Sequence, residues 1–256
     1  MQKFLVFYWY VPKFFWSPVY DLHIKNLSLY KDVFDHIFFA ISSDEDSNGV
    51  DETITKLKEI APSASFIHVK NNKEEREARF FYEHLIAPIQ SVDKDYAVFF
   101  AHNKGVDSKY LPSTDRDVWV NTMYFFNLHN PKKIDELLED PKTIVIGTAK
   151  YINFCPPMFS GWCKNRWHYT GTFYWLVQNR LKRYVNEHNL KLLECNGRYY
   201  AEGIWGAIFP DTRDECKCIG GAKKTNEHFW DYADRIADKD EKEEFYKIYG
   251  DSRPKK

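Results

Sequence analysis

Residues 96–106, YAVFFAHNKGV, hold an unbroken apolar run, Tyr96 to Ala101, that stops abruptly at His102, Asn103, Lys104 and Gly105. A run of that length bounded by polar turn residues reads as a strand buried on both faces of a parallel sheet. Ligands of such sheets bind just beyond the carboxyl ends of the strands. An imidazole, an amide, a cation and a glycine at that edge suit an anionic or hydroxyl-rich ligand.

The flanking sequence alternates in the way a parallel sheet requires. Residues 2–11 predict strand one, closed by Pro12 and the Ser17-Pro18 pair. A short helix over 21–34 leads to strand two over 35–41, which runs into Ser42, Ser43, Asp44, Glu45 and Asp46. Val50, Ile54, Leu57 and Ile60 give a helix over 50–60, and residues 65–69 give strand three. Ala78, Phe81, Leu85 and Ile89 share one face of a helix over 73–90. After strand four come helices over 115–128 and 131–139 and a strand over 143–147. The fold class is therefore α/β, a mostly parallel central sheet flanked by helices with right-handed crossovers.

No repeat, low-complexity tract or Gly/Ser linker divides the chain, so one domain over 1–256 is expected. Its second half changes character. Residues 154–175 form a loop rich in Pro, Cys and aromatics; a helix over 176–188, the segment RYYAEGIWGAIFP and a loop with Cys216 and Cys218 follow. From Asp238 the charge pattern predicts a solvated amphipathic helix and a frayed end.

A net charge of −1 argues against a nucleic-acid partner. No run reaches 18 apolar residues, so no transmembrane helix is expected, although peripheral membrane contact is compatible with the pattern. The aromatic N-terminus lacks a small-residue cleavage site and reads as a strand. Five cysteines, an odd number, predict reduced thiols and a cytoplasmic location. Their C-x7-C and C-x-C spacings are not those of zinc ligands. P-loop, Rossmann and nucleophile-elbow patterns are absent. The aromatic share is high, 18%, which serves either a core or ring-stacking ligand walls.

The strand ends converge on one edge: Tyr8–Val11, Ser42–Asp46, Asn71-Asn72 and His102–Gly105. Ser43 and Asp44 suit a ribose or base. Asn71, Asn72, Arg76 and Arg79 would open helix three, where a helix N-terminus plus arginine favours phosphate. The alternative is that both arginines pair with Glu75 or Glu83 on a surface. His102 either contacts ligand or hydrogen-bonds a neighbouring carbonyl.

These residues resemble the glycosyltransferase-A fold of sugar-nucleotide enzymes, and within it the rhamnan-synthesis and capsular-polysaccharide glycosyltransferases. The shared features are the Asn71-Asn72 turn after strand three, the strand ending His102-Asn103-Lys104, and the glycine-aromatic segment Thr170-Gly171-Thr172-Phe173-Tyr174-Trp175. They occur in the same order over about residues 1–210.

The resemblance implies a Rossmann-like nucleotide-sugar-binding half over 1–150, an acceptor-binding half over 151–237, and a tail over 238–256. It implies a nucleotide-sugar donor and a glycan, glycolipid or glycoprotein acceptor. Tyr8, Ser43, Asp44, Asn71, Asn72, Arg76 and Arg79 would contact the nucleotide. His102, Asn103, Lys104 and Gly105 would hold the diphosphate and donor sugar. His168, Gly171, Thr172, Phe173 and Trp175 would wall the sugar and acceptor.

The resemblance also implies a general base some way past the glycine-aromatic segment; Glu202, partly desolvated by Tyr199, Tyr200, Ile204 and Trp205, would be that base, with His102 and Lys104 as its catalytic partners, and capping a helix or pairing with Arg198 is the competing role. The fold's usual Asp-x-Asp does not follow strand four. Asp115-x-Asp117 has the form but opens a helix, where capping accounts for Asp115. Two accounts of the diphosphate charge stay open: Lys104 with the arginines and no metal, or a divalent cation (manganese or magnesium) on a nonstandard carboxylate. The other reading is a non-catalytic carbohydrate-binding domain of the same fold, motivated by the missing Asp-x-Asp and the aromatic abundance.

Overall fold

A computed structural model describes residues 1–13, 18–103, 113–152, 167–209, 214–224 and 227–250. The first half runs β1 (Lys3–Val11), α1 (Pro18–Tyr30), β2 (His36–Ser43), α2 (Val50–Ile60), β3 (Ser65–Lys70), α3 (Glu77–Phe81) and β4 (Ala97–His102). Then come α4 (Ser113–Leu128), α5 (Pro131–Glu139), β5 (Val145–Gly147), β6 (Lys150–Tyr151), β7 (His168–Tyr169) and β8 (Tyr174–Val177). The order closes with α6 (Gln178–Glu187), α7 (Tyr200–Ile208), β9 (Cys216–Cys218), α8 (Phe229–Ile236) and α9 (Lys239–Tyr249).

Seven strands form one sheet in the order β3-β2-β1-β4-β8-β5-β9. The pairs β1–β2, β1–β4, β2–β3 and β5–β9 are parallel, while β8 runs antiparallel to both β4 and β5. β6 and β7 make a separate two-stranded ribbon.

Strand periodicity divides the core into two layers. Leu5, Phe7, Trp9 and Val11 of β1 join Phe39, Phe99 and Trp175 beneath α1, α2, α4, α8 and α9. Tyr8, Ala40, Val98, Phe100, Tyr174 and Leu176 pack on the other face beneath α3, α6 and α7. Both faces of β4 are thus covered, which is why its sequence is continuously apolar rather than alternating. No helix among the described residues is long and apolar enough to cross a membrane.

Three expected elements differ. The helix over 73–90 starts only at Glu77 and changes its winding along the way: α3 passes directly into a π-helical turn over Tyr82–Ile86 and a 3-10 turn over Ala87–Ser91. The Asn72 side chain accepts from the amides of Glu74 and Glu75, closing a turn before the helix can start. Arg76 then takes φ +51°, and Pro88 denies the far end a donor.

The helix expected over 176–188 starts at Gln178 instead, because Leu176 and Val177 belong to β8. The C-terminal helix is docked rather than solvated. Phe245 is buried, Lys25 donates to the Ile248 carbonyl, and Tyr249 donates its hydroxyl to Asn26 Oδ1 on α1 (2.6 Å).

Candidate functional site

Parallel strands deliver their carboxyl ends to one edge, so Val11, Ser43, Lys70 and His102 finish on the same side of the sheet. β8 reaches that edge for the opposite reason. It is antiparallel to β4, with Phe100 opposite Tyr174, so its entry lies where β4 exits. Continuing that register sets Thr172 against His102. The Thr172 Oγ1 to His102 Nδ1 distance is 2.7 Å, and both side chains are buried.

His102 is held from two further directions. Glu77 Oε1, at the first position of α3, stands 3.5 Å from the same Nδ1. The Phe173 ring lies at 6.0 Å in a near edge-on arrangement. The turn that presents Thr172 is left-handed at two successive residues, Gly171 (φ +88°) and Thr172 (φ +49°). Gly171 also lies against the Trp119 indole, where an added Cβ would come within 3.3 Å of the ring. Gly171→Ala therefore costs more than about 1 kcal/mol through backbone strain and crowding. A shift of the urea midpoint reads it; an unshifted midpoint would contradict this account of the turn.

Glu202 occupies the first turn of α7 and is 8% exposed. Two observations bring it toward the same edge. Tyr174 donates its hydroxyl to the Ala201 carbonyl (2.9 Å), tying α7 to β8 one residue away. Burial pushes the Tyr174 phenol well above its usual range, and the charges of Glu202 and Glu77 add to that push.

At the ends of β2 and β3 a second polar group forms. Asp44 accepts from the Tyr10 hydroxyl (2.7 Å) and from Asn71 Nδ2 (2.9 Å). Ser43 Oγ lies 3.3 Å from His68 Nε2. This is a prearranged carboxylate on a strand end, fixed by two neighbours before any ligand arrives.

Several expected contacts are redirected. Asn103 was expected to hold ligand; its buried amide instead pairs with the main chain of Tyr10, accepting from the N–H (2.9 Å) and donating to the carbonyl (2.7 Å). Arg79 was expected on a phosphate; its guanidinium makes a two-point ion pair with Glu75 at 2.6 and 2.7 Å. That pair holds Glu75 below the usual carboxylate range. Burial pushes the neighbouring Cys195 thiol up to about 11, so it stays protonated and unreactive at neutral pH.

Asn72 is engaged in its own turn and with Glu75 (2.9 Å). α3 begins only at Glu77, so the helix N-terminus expected for phosphate does not fall at Asn71 and Asn72, and Arg76 stands just ahead of it. Phe173 and Trp175 do not line a wall. Both are buried in the layer beneath α4, where Trp175 Nε1 donates to the Asn127 carbonyl (3.1 Å) and Phe173 packs on Tyr124 (5.2 Å). Tyr8 is buried against Phe80 (5.7 Å), and His168 is buried and stacked on Tyr151 (5.2 Å). Lys104 and Gly105 lie outside the described residues, as do Cys155 and Cys163.

Among the described residues no group of three or more His, Cys, Asp or Glu could hold a metal ion. Asp115 is the third residue of α4, inside its first turn rather than ahead of it, and the Asp117 carboxylate pairs with Arg116 (3.1 Å). Reading the sequence alone misses Glu77 and Tyr10. Glu77 sits in the charged run KEEREAR, which has the signature of a solvated face. Tyr10 sits in an aromatic strand, where nothing marks its hydroxyl as a partner for Asp44.

No protein-family model matches the chain, and no curated protein matches its sequence. Among solved structures the chain is similar to the mannosyltransferase PcManGT from Pyrobaculum calidifontis, in complex with GDP-Man and Mn2+. The identity is 12% and the TM-score 0.35, over 87% of this chain and 58% of that one. At that level the likeness carries no argument about site or substrate. The chain itself is an α/β protein whose sheet gathers a buried imidazole, a hydroxyl and several carboxylates at its carboxyl edge.

Proposed function

We propose that this protein is a glycosyltransferase, moving a sugar from a nucleotide-diphosphate donor to a glycan or glycoconjugate acceptor. The observation that carries the reading is the 2.7 Å contact between Thr172 and His102. It joins the strand end read from its composition to the glycine-aromatic segment that the resemblance brings in, at the sheet edge where an α/β fold binds ligands.

In this reading residues 1–150 hold the nucleotide sugar, with Ser43, Asp44, Asn71 and Arg76 along the nucleotide. His102, Thr172 and Lys104 adjoin the donor sugar and diphosphate. Glu202 takes the proton of the acceptor hydroxyl, whose oxygen attacks the anomeric carbon as the bond to the diphosphate breaks. One displacement by an activated hydroxyl inverts that carbon. The leaving diphosphate needs cationic stabilisation, which either Lys104 or a divalent cation would supply. A place in polysaccharide or surface-glycan synthesis follows from such an acceptor.

The purely carbohydrate-binding reading loses one of its two motives. Trp167, Tyr169, Phe173 and Trp175 are core side chains, so the high aromatic share mainly serves packing. Isothermal titration against UDP-, GDP- and dTDP-sugars, with and without manganese, tests the proposal. One donor class is expected to bind and to release free sugar slowly to water. Folded protein that binds none of them at millimolar concentration overturns it.

A further inference from the structure

We infer that Glu77 is a positioning residue for His102, acting with Thr172 to keep the imidazole proton on Nδ1 and its lone pair on Nε2. The inference deepens the proposed function, since it matters for transfer only if His102 adjoins the donor.

Three observations carry it. The first is convergence on one atom: Thr172 Oγ1 at 2.7 Å and Glu77 Oε1 at 3.5 Å both address Nδ1. A carboxylate accepts and never donates when ionised, whereas a hydroxyl does either, so the pair together favours a proton on the nitrogen they face. The second is seclusion: the side chains of His102 and Glu77 are 7% and 16% exposed, so water screens their interaction weakly.

The third is backbone strain on both sides. Glu77 follows Arg76 at φ +51°, and Thr172 itself sits at φ +49°. Neither residue is glycine. Left-handed conformations at such residues persist only where the surroundings over-determine them, and they gather at functional sites. Here they bring both partners of a single ring nitrogen.

Other groups around the ring fit this assignment. β1 places Tyr8 opposite His102, and Phe173 packs near edge-on against the ring. Glu77 is thus the carboxylate set against Nδ1, and Glu202 is kept for the acceptor. Fixing a tautomer through the nitrogen remote from ligand is how proteins orient an imidazole for binding or proton transfer.

The test is the 15N spectrum of the His-labelled full chain, with the His102 ring identified by its absence in His102→Gln. Wild-type protein above the ring's titration should show the proton on Nδ1. Glu77→Gln should give a mixture of tautomers and a lower titration midpoint, and Glu77→Asp should restore part of both. A wild-type ring with its proton on Nε2, or a Glu77→Gln spectrum identical to wild type, overturns the inference.

The wild-type measurement stands even if Glu77→Gln fails to fold, since its assignment needs only the His102→Gln protein. Donor titration separates the two claims. An Nδ1 proton dependent on Glu77 in a protein that binds no nucleotide sugar upholds the positioning role and removes the proposed function. Donor binding with the proton on Nε2 does the reverse.

Discussion

With the proposed function, Glu202→Gln is expected to lower sugar transfer by about 10²–10⁴-fold, the span a positioned general base supplies, and to leave donor affinity unchanged. The substitution preserves shape and removes charge. Its site tolerates that, because Glu202 sits in the first turn of α7 with its neighbour Ala201 anchored to Tyr174, so the turn keeps its place whatever the side chain carries. The check is paired: initial rates of transfer with the donor found by titration, and calorimetric binding of that donor to both proteins. A variant with wild-type rates would remove Glu202 from the chemistry. Loss of donor binding along with rate would make it a structural residue instead.

The second large effect is on stability. Trp175→Ala costs about 3–5 kcal/mol, the usual loss for a buried aromatic. The indole is wholly buried and packs on Phe99 (5.1 Å) and Phe34 (5.6 Å). Truncation also strands the Asn127 carbonyl that its Nε1 serves, which adds to the cost of the void. Urea unfolding should show a lower midpoint at unchanged slope. A loss below about 1 kcal/mol would be a surface-like value and would restore Trp175 to the list of candidate ligand contacts. The milder Trp175→Phe separates the roles further: it keeps most of the packing, and donor affinity should not move.

Much of the architecture is legible in the sequence, and the reason is specific. Strands covered on both faces have to be apolar throughout, so YAVFFA, DHIFFAI and the first ten residues announce themselves, and the helix over 50–60 shows its face at Val50, Ile54, Leu57 and Ile60. β8 is not announced, because YWLV runs directly into the helix LVQNRL and periodicity over so few residues does not separate them. The break before α3 rests on one Asn side chain and one left-handed Arg, neither of which alters the hydrophobic pattern.

The site is legible only in part. His102 stands out by composition and Thr172 only through the resemblance of its segment, but what each polar strand-end residue does depends on partners far away in sequence. Asn103 is claimed by Tyr10, 93 residues earlier, and Arg79 is claimed by a local glutamate that competes with any ligand. Glu77 carries no local sign of its proximity to an imidazole.

The claim of Asn103 on Tyr10 has a consequence for how the edge can be watched. An amide side chain stands in for main chain there, so on the side of β1 that faces β4 the N–H of Tyr10 depends on a single residue of the neighbouring segment rather than on continued strand pairing. Deuterium uptake at Tyr10 should accelerate sharply in Asn103→Ala while uptake at Phe7 stays slow, and in the unaltered protein it should slow whenever something occupies the rim. The molecule thus carries its own gauge of occupancy, readable by mass spectrometry before any substrate has been identified.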